Sequence, residues 1–121
     1  MKTCLVVDDS SVIRKVARRI LEGMKFEISE AEDGVQALDM CRIGLPDVVF
    51  LDLSMPRMDG MTFLKEMRNL PGGSRPKVLF CTTEHDMAYI SQALRAGADD
   101  FIMKPFDRDI IEAKFHRAGL V

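Results

Sequence analysis

The sequence predicts an α/β domain, with a parallel sheet as the middle layer of a three-layer sandwich and helices on both faces. Three observations predict it. Short, continuous apolar runs alternate with longer segments whose apolar residues recur at helical spacing. The alternation of strand and helix repeats five times. The chain has 121 residues, which leaves about 24 for each unit, the usual size of a compact βα repeat. Residues 1–121 therefore read as one domain, with no room for a separate output domain.

The elements follow in order. Cys4-Leu5-Val6-Val7 is the first strand, apolar on both faces as in a buried parallel sheet. Residues 11–24 form the first helix, with Val12, Ile13, Val16, Ala17, Ile20, Leu21 and Met24 as its apolar face and Arg14, Lys15, Arg18 and Arg19 opposite. Residues 26–29 alternate apolar and polar, the pattern of an edge strand with one wet face. Residues 33–43 are the second helix, with Ala37, Leu38 and Cys41 inward and Gly44 and Pro46 ending it. Val48-Val49-Phe50-Leu51 is a third buried strand. Residues 59–70 are the third helix, N-capped by Asp59. Residues 71–76 are a loop by composition. Val78-Leu79-Phe80-Cys81, a helix over 86–96 stopped at Gly97, Phe101-Ile102-Met103 and a helix from 107 to about 117 complete the series.

Composition removes several classes. The formal net charge of −2 gives no footprint for nucleic acid or an anionic membrane surface. No apolar run approaches a membrane span, and the N-terminus lacks a secretory signal, so a cytoplasmic protein is expected. Cys4, Cys41 and Cys81 are odd in number, lack zinc spacing and read as buried small residues. His85 and His116 read as surface residues.

Sites in open α/β sheets form beyond the carboxyl ends of the strands. The residues there are Asp8 and Asp9, Asp52, Thr82 and Thr83, and Lys104. Taken singly, each has an ordinary structural reading: a helix cap, a strand former, a solvated lysine. Together they are harder to dismiss, because like charges about 4 Å apart repel by roughly 4 kcal/mol at an effective dielectric near 20. Hard oxygen ligands without histidine or thiolate point to Mg2+ or a similar ion such as Mn2+. One Asp is then free to act as a nucleophile towards phosphorus, and Asp52, on the most buried strand, is the best placed.

These residues resemble the receiver domain of two-component response regulators, most closely the single-domain, CheY-like kind. The likeness spans essentially the whole chain. It rests on Asp8-Asp9, the block Asp52-Leu53-Ser54-Met55-Pro56-Arg57-Met58-Asp59-Gly60, the hydroxyl of Thr82, and Lys104-Pro105-Phe106. The resemblance implies a flavodoxin-like (βα)5 fold with strand order 2-1-3-4-5. It implies Asp52 as phospho-acceptor from a phosphohistidine, Asp9 and Asp52 as Mg2+ ligands with Asp8 acting through water, and the Ser54 carbonyl as a further ligand. It implies Thr82 and Lys104 as the phosphoryl-binding hydroxyl and ammonium, Phe101 as the aromatic that rotates on activation together with Thr82, and a cis bond before Pro105. Phe101 stands where the family often has Tyr, Thr83 where it prefers a smaller residue, and Ser54 and Glu84 occupy variable flanking positions.

The function expected is a stand-alone phosphorylation switch rather than an enzyme in its own right. Its partners would be a sensor histidine kinase or histidine phosphotransfer protein and a downstream effector, with no nucleic acid and no membrane insertion. Output would pass through the face of the fourth helix, fifth strand and fifth helix, including Ile90, Leu94, Phe101, Ile110 and Ile111, from a monomer or from a dimer formed through that face on phosphorylation. The first helix would face the kinase. Two rivals are an aspartyl-nucleophile phosphatase, against which Ser54 stands where such enzymes usually carry a second Asp, and a receiver-like binding module that is never phosphorylated. Met55, Met58 and Met61 read as gap-fillers in preference to a partner surface.

Overall fold

A computed structural model describes every residue except 54, 56 and 84–86. Among the described residues, five strands alternate with five helices: β1 (Thr3–Val7), α1 (Ser11–Gly23), β2 (Glu27–Ala31), α2 (Gly34–Ile43), β3 (Val48–Asp52), α3 (Gly60–Arg68), β4 (Lys77–Thr82), α4 (Met87–Arg95), β5 (Asp100–Met103) and α5 (Arg108–Arg117). All strand pairs are parallel, in the order β2-β1-β3-β4-β5. The predicted fold class and strand order both hold.

Alternate residues of each strand feed opposite faces of the sheet. Leu5, Val7, Val49, Leu51, Val78 and Phe80 join α2, α3 and α4 in one core through Leu38, Phe63, Leu64, Met67 and Ile90. Cys4, Val6, Val48, Phe50, Leu79, Cys81 and Ile102 join α1 and α5 in the other, through Ala17, Leu21, Ile111 and Phe115. Both predictions of buried cysteines and a continuous central β3 follow from this double covering. Among the described residues, four helices start on a side chain that accepts a backbone N–H of the first turn: Ser10 from Ile13, Asp33 from Gln36, Asp59 from Thr62 and Asp107 from Ile110.

The structure corrects four readings. On α1, Val12 and Val16 are 67% and 43% exposed, because only the stripe through Ala17 and Leu21 meets the sheet and successive residues turn 100° away from it. Ile90 and Ile111 lie in the core, so they cannot belong to an output surface. The run at β5 is half-buried, since β5 is an edge strand and Ile102 alone of its residues is fully buried. β2 lies later than expected, at 27–31, with Phe26 buried just before it. The fourth helix is described from Met87, so its expected start at Asp86 lies outside the described residues. No described helix is long and apolar enough to cross a membrane.

Candidate functional site

Parallel strands all leave the sheet at the same end. β1 stops at Val7, opposite Leu51, so Asp8 follows beside Asp52, the last residue of β3. β4 ends at Thr82 opposite Met103, and Lys104 follows. The Thr82 carbonyl accepts the Lys104 N–H at 2.9 Å, which extends the β4–β5 ladder and keeps hydroxyl and ammonium residues adjacent. The Lys104–Pro105 bond is cis.

Oxygens of Asp8, Asp9 and Asp52 lie within 4.8 Å of one another. Asp8 and Asp52 are buried and Asp9 is exposed. The Lys104 ammonium sits 3.1 Å from Asp8 Oδ2 and 3.7 Å from Asp52 Oδ1. Burial pulls the Lys104 pKa down, but the charges of Asp52 and Asp8 outweigh it, and the net shift is upward. Lys104 stays charged and still leaves the cluster with more carboxylates than it can neutralise. A hard divalent cation fits this donor set: oxygen ligands converge, and the buried walls raise the cost of leaving them unpaired.

Each half of the cluster is held from outside. The Ser10 N–H donates to Asp8 Oδ1 at 2.9 Å, and the Asp8 N–H donates to the Ala31 carbonyl at 3.1 Å. Arg14 reaches the Asp8 carbonyl at 2.6 Å while its Nε meets Glu30 at 3.0 Å. Arg18 takes the other oxygen of Glu30 at 2.7 Å. The Glu30 carboxyl is held below its ordinary pKa chiefly by Arg18, with Arg14 assisting against burial. On the other half, the loop from Leu53 closes through the Gly60 N–H on the Leu53 carbonyl at 3.0 Å. A Cβ at Gly60 would stand 2.5 Å from the Asp52 carbonyl, so only glycine permits this approach.

The structure therefore brings together Asp8, Asp9, Asp52 and Lys104, with Thr82 buried at the end of the next strand. Thr83 is exposed and turned to solvent, as is His116. Ser54, Glu84 and His85 lie outside the described residues. Phe101 is half-buried, 6.1 Å from Phe80, with the Lys114 ammonium 4.3 Å from its ring centre. Met55, Met58 and Met61 are partly buried against the core, in keeping with gap-filling. Sequence reasoning missed Arg14, which stands among the four cations opposite the apolar face of the first helix. A signal was present in Glu30, an acid near the end of the neighbouring strand.

A family model for the response regulator receiver domain matches residues 4–116. The chemotaxis protein CheY of Bacillus subtilis (strain 168) is 39% identical over 111 residues, which cover 90% of this chain and 91% of that protein. The structure of CheY4 from Vibrio cholerae superposes with a TM-score of 0.91 at 30% identity, covering 97% of this chain and 98% of the other. The receiver domain of the sensor histidine kinase PA1611 from Pseudomonas aeruginosa PAO1, solved with magnesium coordinated in its active-site cleft, gives 0.87 at 25% identity, covering 96% and 95%. With the parallel 2-1-3-4-5 sheet and the acidic cluster at its carboxyl end, these likenesses show that the chain belongs to the response regulator receiver domain family and is a homologue of the CheY proteins.

Proposed function

We propose that the chain is a phosphorylation switch whose acceptor is Asp52. The observation that carries this reading is the convergence of three carboxylates at the carboxyl end of the sheet, two of them ion-paired with Lys104. A carboxylate oxygen of Asp52 attacks phosphorus of a phosphohistidine on a sensor kinase or phosphotransfer protein. The P–N bond breaks, the imidazole keeps its electron pair, and Asp52 becomes an acyl phosphate. Asp9 and Asp52 would hold Mg2+ or Mn2+, with Asp8 acting through water; the Ser54 carbonyl, the further ligand expected from the sequence, lies outside the described residues. When bound, the ion supplies positive charge against the phosphoryl oxygens. Lys104 pairs with one of those oxygens and the Thr82 hydroxyl donates to another.

The added charge draws Lys104 and Thr82 towards Asp52 and changes how α4, β5 and α5 present themselves, with Phe101 rotating at the edge of the sheet. Leu94 and Ile110 are exposed on that face and offer the apolar contact for an effector or a second copy. The kinase meets α1, where Val12 and Val16 are exposed beside Lys15 and Arg19. The protein acts in the cytoplasm and makes no direct contact with nucleic acid. Its chemistry is limited to taking and losing its own phosphoryl group, since Ser54 stands where a phosphatase of this type would carry its second acid.

Incubation with acetyl phosphate and Mg2+ tests this by intact mass. The wild type gains one phosphoryl group only when Mg2+ is present, and Asp52→Asn gains none. A gain of equal size on Asp52→Asn, or no gain on the wild type, contradicts the reading. Sustained turnover of a phosphate monoester would favour the phosphatase instead.

A further inference from the structure

The acidic cluster has two halves, Asp8 and Asp9 just after β1 and Asp52 at the end of β3. One half, Asp8 and Asp9, is tied to the end of β2 by the Asp8 N–H on the Ala31 carbonyl at 3.1 Å. Two residues after Ala31 comes Asp33, whose buried carboxylate has two tasks. Its Oδ1 caps α2 by accepting the Gln36 N–H at 2.9 Å, and its Oδ2 takes the guanidinium of Arg57. Arg57 belongs to the loop of the other half. The bond thus joins the turn between β2 and α2, on the Asp8–Asp9 side, to the loop that follows Asp52.

Two further observations place weight on this bridge. The backbone at Arg57 is left-handed, with φ at 63°, a conformation that favours glycine. An arginine there accepts local strain, which points to a use for its side chain. Beside it, a Cβ on Gly34 would stand 2.5 Å from the Met58 carbonyl, so the loop backbone rests directly on the first turn of α2. Arg57 itself is exposed, and a pair between two exposed groups would hold little. Here the acid is fixed by burial and by its cap, so the guanidinium meets a rigid anchor.

We propose that Arg57 and Asp33 form a strut that sets the spacing between the two halves of the acidic cluster, and so its affinity for a divalent cation. Both are positioning residues, acting through the loop and the β2–α2 turn without touching the ion. The proposal rests on the reading of the cluster as a cation site.

Calorimetric titration of the full chain with Mg2+, alongside its melting midpoint, tests it. Arg57→Gly removes the bridge and relieves the backbone, so the midpoint holds or rises while Mg2+ binds roughly three- to tenfold more weakly. Asp33→Asn keeps the helix cap and weakens binding to the same degree. The double variant is no weaker than either single one, because both remove one bridge. Arg57→Lys restores binding to within about twofold. Arg57→Gly binding as tightly as the wild type, or losses that multiply in the double variant, overturn the strut alone. A wild type that binds no Mg2+ overturns the cation-site reading and the strut with it.

Discussion

At the amino ends of the strands, Asp47 and Asp99 are satisfied. Asp47 Oδ2 accepts the Thr3 N–H at 2.8 Å and the Thr3 hydroxyl at 3.3 Å, with Arg75 3.9 Å from its other oxygen. Asp99 Oδ2 accepts the Val78 N–H at 2.8 Å and meets Arg68 at 3.3 Å, and Lys77 lies 3.9 Å away. At the carboxyl ends of the same strands, Asp8, Asp9 and Asp52 converge on one another, and Lys104 is the cation that ion-pairs with Asp8 and Asp52 among the described residues. The residue type is the same at both ends. At one end it ties strand starts together, and at the other it stores repulsion that a divalent ion or a phosphoryl transfer can use.

The comparison can be broken by substitutions that act at only one end. The largest effect is expected from Arg68, which lies among carbonyls near the amino ends and donates to those of Gly97, Gly73 and Pro76. Arg68→Met removes these bonds from a largely buried site and costs about 2–4 kcal/mol by urea unfolding. Mg2+ affinity, measured in the same preparations, stays unchanged. A change in affinity would show that the two ends are coupled.

Asp47→Ala is expected to cost less, about 1 kcal/mol, because solvent screens its half-exposed carboxylate. The Thr3 N–H holds the Asp47 pKa below its ordinary value, and burial only partly opposes this. A carboxyl depressed on folding contributes stability that is present above its unfolded pKa, near 4. That contribution is lost as the pH falls through the folded value. The gap between variant and wild type should therefore be full at neutral pH and close on acidification. A gap that widened in acid would reverse the assignment.

Asp9→Asn should carry the opposite sign. It removes repulsion from the carboxyl end, so the melting midpoint in a chelator rises by about 2–4 °C. Added Mg2+ stabilises the wild type and not the variant. A lower midpoint in the chelator would mean that Asp9 is held as firmly as Asp47.

Much of this contrast was legible in the sequence. The continuous apolar runs give β1, β3 and β4 because a strand covered on both faces needs apolar residues at every position. The placement of Asp8, Asp52, Thr82 and Lys104 at one end is legible because a parallel sheet sends the residues after each run to the same side. Helix faces were less legible. Spacing placed Val12 and Val16 with Ala17 and Leu21, but burial depends on how α1 sits on the sheet, which spacing does not encode. Ile90 and Ile111 failed as surface residues for the same reason. The ion pairs of Arg14 with Glu30 and of Arg57 with Asp33 join residues distant in the sequence. The order β2-β1-β3 in the sheet brings these segments side by side.

The central claim is that Asp52, and neither of its neighbours, carries the phosphoryl group. Borohydride tests it most directly, because it reduces an aspartyl phosphate to homoserine and leaves a free carboxylate intact. After treatment with acetyl phosphate and Mg2+, then borohydride, peptide sequencing by mass spectrometry should place homoserine at position 52, and chelation of Mg2+ should abolish it. Homoserine at position 8 or 9, or at position 52 to the same extent without a divalent ion, would contradict the account.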